Sequence, residues 1–164
     1  MKIFRVTLGT QNITFGFPRL DIERVETGLK DGRAASKWAE LLAAEIYCQS
    51  MAVPDAHGHD LITMGDSKTE VKCLTRHGVA FRRSKNTGVG RTCDSGAVLD
   101  FASAVESVIV VDVANTPIWD FIKITSGLIV RWHQEKIISA NDGSISYSRF
   151  YAALGEKEIL PWPQ

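Results

Sequence analysis

His59-Asp60-Leu61-Ile62-Thr63-Met64-Gly65-Asp66-Ser67-Lys68-Thr69-Glu70-Val71-Lys72-Cys73-Leu74 reads as two extended runs joined by a turn. Apolar residues follow Asp60, Gly65-Asp66-Ser67 interrupts them, and a second run continues through Val71 and Leu74, which is the punctuation of a β-hairpin. Because side chains alternate along a strand, Glu70 and Lys72 leave one face while Val71 and Cys73 leave the other. A three-residue loop at Gly65-Asp66-Ser67, with Met64 opposite Lys68, sets Asp60 opposite Lys72 and diagonal to Glu70. Cross-strand neighbours of that kind lie about 5–8 Å apart. A two-residue turn at Asp66-Ser67 would shift the register by one and send Asp60 to the other face. The expected hairpin therefore gathers two carboxylates and an ammonium on one face.

That donor set suits a hard divalent cation. Mg²⁺ takes oxygen ligands and keeps several waters, so Asp60 and Glu70 with a substrate phosphate oxygen can complete its shell, Mn²⁺ serving as a substitute. Lys72 is then placed to orient or help deprotonate an attacking water, or to stabilise charge developing on phosphorus. Upstream, residues 33–50 are rich in Ala, Leu, Glu, Lys and Trp and contain no Pro or Gly, which predicts a helix. On a helical wheel Trp38, Leu41, Leu42, Ile46 and Gln49 gather on one side with Glu45 in their sector. Glu40 falls opposite, with Ala43, Ala44 and Tyr47. An acid on the buried face is costly unless paired or metal-bound, so the wheel nominates Glu45 as the helix acid.

A helix, an Asp-bearing strand and then Glu70-Val71-Lys72, with nine residues between Asp60 and Glu70, resembles the PD-(D/E)xK nuclease superfamily. The literal Pro-Asp is Pro54-Asp55, but Asp60, followed by Leu61-Ile62, better fits the strand position. The likeness spans residues 33–76, less than a third of the chain. It implies a restriction-endonuclease-like core and Mg²⁺-dependent hydrolysis of DNA phosphodiesters. It also implies Asp60 and Glu70 as metal ligands and catalytic residues, with Lys72 acting on water or phosphate. Through Glu40-Leu41-Leu42-Ala43-Ala44 it nominates Glu40 instead of Glu45, so both remain open. The plainer alternative is a surface hairpin whose Asp60, Glu70 and Lys72 form a solvated charge cluster.

With 164 residues, residues 1–164 are expected to form a single domain. Apolar residues at 45% and charged residues at 23% belong to a soluble globular chain and exclude dominant disorder. Nineteen basic and nineteen acidic side chains cancel, so no global field draws the molecule to nucleic acid or an anionic membrane. Locally the balance differs. Residues 71–93 contain Lys72, Arg76, Arg82, Arg83, Lys85 and Arg91 and no acid. Arg76, Arg82, Arg83, Lys85 and Arg91 are candidate phosphate contacts and Asn86 a candidate reader of base edges, against the alternative of a solvated loop. Cys48, Cys73 and Cys93 are odd in number and lack zinc-type spacing, which points to a reduced, cytoplasmic protein. His57-Gly58-His59 offers two imidazoles with no clear third ligand. Met1-Lys2-Ile3-Phe4-Arg5 lacks the apolar segment of a secretion signal, and no stretch reaches the length of a membrane span.

Elsewhere, residues 2–8 and 12–17 read as strands and residues 95–107 as a short helix. The β-branched run 107–113 reads as a central strand buried on both faces. Residues 118–125 and 128–133 read as a hairpin through Ser126-Gly127, and Trp119 and Trp132 as core aromatics. A last helix is expected from Ser144 or Ser146 to Leu154, closed by Gly155, before an apolar tail that docks on the body or on another subunit. The sum is an α/β (α+β) fold, a mixed central sheet of five or six strands flanked by helices. The function expected is a Mg²⁺-dependent DNA endonuclease, acting as a homodimer where both strands are cut. A junction-resolving or repair nuclease, or a non-catalytic nucleic-acid-binding or interaction module, are the alternatives.

Overall fold

Every residue of Ser107-Val108-Ile109-Val110-Val111-Asp112 is buried, as a strand covered on both faces requires. In a computed structural model of the chain this segment lies at the middle of a mixed seven-stranded sheet. The structure describes residues 1–8, 30, 32–47, 50–51, 59–62, 66–82, 96–156 and 158–161. Its strands are β1 (Lys2–Thr7), β2 (Ser50–Met51), β3 (Leu61–Ile62), β4 (Lys68–Leu74), β5 (Val79–Ala80), β6 (Ser107–Asp112), β7 (Ile118–Thr125), β8 (Ser144–Ile145) and β9 (Glu158–Pro161). The helices are α1 (Gly32–Ile46), α2 (Ala97–Ala104), α3 (Ser126–Gln134) and α4 (Tyr147–Leu154). The sheet order is β2-β3-β4-β6-β7-β1-β9, with β5 and β8 forming a separate two-stranded sheet. The expected α/β (α+β) class, a mixed sheet flanked by helices, is what the chain adopts; the seven strands include a two-residue edge strand, β2, and the tail, which pairs in parallel with β1 as β9.

Alternation along β4 and β6 divides the core. Val71, Ile109, Val111, Trp119 and Phe121 face α1, whereas Val108, Val110, Ile122 and Ile124 face α2, α3 and α4. At the far end of β6 the Asp112 carboxylate accepts hydrogen bonds from Tyr147 Oη at 2.7 Å and Tyr151 Oη at 2.6 Å, which fastens α4 to the sheet. Arg5 forks onto Asp120 next to it, at 2.7 Å for both contacts.

Three sequence expectations are corrected. The helix buries Ala35, Ala39, Ala43 and Ile46, with Leu42 half-buried against the same core, and leaves Trp38 and Leu41 exposed, so the apolar side inferred from the wheel is packed only at Leu42 and Ile46. Small residues win because the helix start lies very close to β4: a Cβ on Gly32 would be 3.1 Å from both Cys73 Cβ and Thr75 Cγ2. Secondly, β3 and β4 pair as Leu61↔Thr69 and Ile62↔Lys68, leaving residues 63–67 between them. Lys68 is thus the partner of Ile62, and Asp60 falls at the level of Glu70 instead of Lys72. The slip is by two residues, so Asp60 keeps its face. Thirdly, residues 126–134 are helix, not the second arm of a hairpin. Leu128, Ile129 and Trp132 have helical spacing, and Thr125 caps the helix by accepting a hydrogen bond from the Leu128 N–H at 3.3 Å. Thr125→Ala should therefore lower stability by about 1 kcal/mol, read as a shifted midpoint in urea unfolding.

The expected strand over residues 12–17 lies outside the described residues. The last helix begins after Ser146 and ends at Gly155, whose φ of 68° is a conformation glycine tolerates best. Trp119 and Trp132 are core residues, at 0% and 1% exposure. Among the described residues no helix is long and apolar enough to cross a membrane.

Candidate active site

β3 pairs with only Lys68 and Thr69 of β4, so among the described residues the outer edge of β4 is left open from Glu70 onward. Asp60 stands where that pairing ends. Its N–H donates to the Thr69 carbonyl at 3.0 Å, and its Oδ2 accepts from the Val71 N–H at 2.8 Å, so the carboxylate is pinned to that edge. Glu70 and Lys72 share the opposite-parity positions of β4, level with Val108 and Val110. Lys72 Nζ donates to Glu70 Oε1 at 2.5 Å and lies 5.5 Å from the centre of the Phe101 ring, a cation–π contact. From the other side α1 contributes Glu40, whose Oε2 accepts from Lys37 Nζ at 2.8 Å.

These groups line one cavity of ≈ 630 Å³, together with Gly32, Arg33 and Ser36 of α1, Cys73, Thr75 and Arg82. Arg82 Nε is buried and has no hydrogen-bond partner among the described residues. A cationic donor of this kind is suited to an anion. The acids in the cavity repel one another. Burial pushes the Asp60 carboxyl up to about 6; Glu70 and Glu40 push the same way, against the Val71 N–H bond and the Lys72 charge. Burial also pushes the Cys73 thiol up to about 12, with Glu40 adding to it, which disfavours its thiolate at neutral pH. The Lys37 ammonium is raised by its hydrogen bond to Glu40.

The sequence-derived residues thus separate. Asp60, Glu70, Lys72 and Glu40 line the same cavity, and so does Arg82. Glu45 is exposed on α1 and does not line it. Its nomination followed from the wheel, and of that apolar side Trp38 and Leu41 are left in solvent while Leu42 and Ile46 pack on the core. Arg76 is exposed in the tight turn between Thr75 and Gly78. Arg83, Lys85, Asn86 and Arg91 lie outside the described residues, as do His57, Cys48 and Cys93. His59 is half-buried beside Asp60 without lining the cavity. Sequence reading missed Gly32, Arg33 and Ser36 as wall residues. The available sign was Gly32 immediately before an Ala-rich helix, since a glycine there permits close approach to a neighbouring strand.

Among the described residues no three His, Cys, Asp or Glu side chains converge into a ready-made metal cage. The donors present fit a smaller demand. Asp60 and Glu70 each keep one carboxylate oxygen beyond the bonds described, and a cation that retains most of its water needs few protein ligands. No family model matches the chain, and no curated protein matches it.

Proposed function

We propose that the protein is a Mg²⁺-dependent endonuclease that hydrolyses DNA phosphodiester bonds, with Mn²⁺ an acceptable substitute. The observation that carries this reading is that Asp60, Glu70, Lys72 and Glu40 line one cavity at the edge of β4. Bound there, the cation would polarise the scissile phosphate and favour ionisation of the attacking water. Asp60, pinned by the Val71 N–H, and Glu70 would hold it. Lys72, fixed by Glu70 and by the Phe101 ring, presents a positive charge where negative charge grows on phosphorus. Glu40 reaches the same cavity from α1 and positions the cation or Lys72, while Arg82, with Arg76 and the basic residues that follow, binds flanking phosphates. The protein would act in the cytoplasm, and cutting both strands would engage two copies of the chain. A junction-resolving or repair nuclease would use the same groups.

The closed Lys72–Glu70 pair is also what a non-catalytic nucleic-acid-binding module on this fold would retain. Supercoiled plasmid separates the two. With Mg²⁺ the purified protein should yield nicked and linear DNA, and EDTA should abolish both products. Discrete bands would mark site-specific cleavage and a smear nonspecific cleavage. Intact plasmid with Mg²⁺ and with Mn²⁺, despite DNA binding, would establish the module instead.

A further inference from the structure

Helix α1 has three faces. Ala35, Ala39, Ala43 and Ile46 press on the sheet, and Arg33, Ser36 and Glu40 flank the cavity. The third face carries Ala34, Trp38, Leu41 and Glu45, spaced four, three and four residues apart and so aligned along the helix. All four are exposed, Trp38 at 59% and Leu41 at 46%. A surface helix ordinarily turns its largest apolar side chains inward. Here three alanines and Ile46 take the inner positions, while an indole and a leucine one turn apart stand together in solvent.

We infer that this face pairs with the same face of a second copy of the chain, the two α1 helices running antiparallel about a two-fold axis. Charge along the helix selects that arrangement. Exposed Arg33 and Lys37 stand near the N-terminal end of the apolar line, and exposed Glu45 closes its C-terminal end. With Trp38 of one copy against Leu41 of the other, each Glu45 comes level with Ala34 of the opposite copy, between its Arg33 and Lys37. A parallel pair would instead stack like charges and like helix ends. The two-fold axis also keeps each flank of the helix on its own side. Both cavities then open on the same side of the seam, within reach of one duplex. This last consequence rests on the nuclease reading; the pairing itself does not.

Sedimentation velocity on the full chain over a concentration series tests the pairing without reference to cleavage. The native protein should move from one-copy to two-copy mass as concentration rises. Trp38→Asp should hold it at one copy while circular dichroism and thermal unfolding stay native-like. Lys37→Glu and Glu45→Lys should each weaken pairing by about tenfold, since each change sets like charges together twice across the axis. An equimolar mixture of those two variants should recover it, because both contacts are then of opposite charge. A native protein that remains one copy throughout, a Trp38→Asp variant that still pairs, or a mixture with no recovery would overturn the inference. A protein that pairs as described yet leaves plasmid intact would sink the nuclease reading alone.

Discussion

Lys72→Ala is expected to lower the rate of Mg²⁺-dependent plasmid cleavage by about 100- to 1000-fold, the usual loss when one preorganised group that meets developing charge is removed. The ammonium has little freedom in the folded protein. It is joined to Glu70, rests over Phe101 and is four-fifths buried with its partner, so no neighbouring lysine can replace it without rearrangement. Binding to uncleaved DNA should fall far less, because one charge among several phosphate contacts makes a modest contribution. The same substitution strands Glu70, which is only 8% exposed, and some loss of stability must accompany it. Rates are therefore compared at a temperature where circular dichroism shows both proteins folded. Lys72→Arg should recover the fold better than the rate, since a planar guanidinium keeps the charge but not the point geometry of an ammonium. Cleavage by folded Lys72→Ala at the native rate would remove Lys72 from the chemistry.

The parts of this site that could be read from the sequence are those fixed by alternation. A strand has a period of two, so Glu70 and Lys72 had to share a face and Val71 and Cys73 the other, whatever the register. The register itself was not legible. Leu61-Ile62 pairs two residues nearer the start of β4 than a three-residue loop would require, and only the even slip preserved Asp60's face. The continuous β-branched run at β6 announced burial on both faces, because no polar position broke it.

The helices were less transparent. Size suggested that Trp38 and Leu41 face the core, but closeness to β4 admits only Gly32 and the alanine line, and the tight approach also turns Glu40 toward the cavity. Ile129 and Val130 gave α3 the look of a strand, while the deciding feature was a cap: one hydroxyl, on Thr125, supplied to the start of a helix. Both errors concern packing partners distant in sequence or hydrogen bonds at an element's end, neither of which periodicity records.

Asp60→Asn should stabilise the metal-free protein at neutral pH while abolishing cleavage. The sign follows from the direction of the shift. The Asp60 carboxyl is raised from 3.8 to about 6, mainly by burial and then by Glu70, so the folded state holds this proton more tightly than the unfolded chain. Its favourable contribution is complete below 3.8 and is lost as pH rises toward about 6, beyond which the ionised acid is a constant burden. A rise of that size corresponds to at most about 3 kcal/mol, and partial solvation lowers the expected effect to about 1–2 kcal/mol. Asparagine is neutral at every pH and can still accept the Val71 N–H bond, so it should remove the burden and keep the anchor. Urea unfolding in EDTA should then show the variant more stable than the native protein near pH 7 and the difference closing near pH 4. Adding Mg²⁺ should narrow the gap at pH 7, because a cation that binds the ionised native site raises only that protein's stability. A variant less stable than the native protein at pH 7, or a gap indifferent to Mg²⁺, would mean that Asp60 serves the fold and not a cation. The crowding of acids at the edge of β4 would then need another cause.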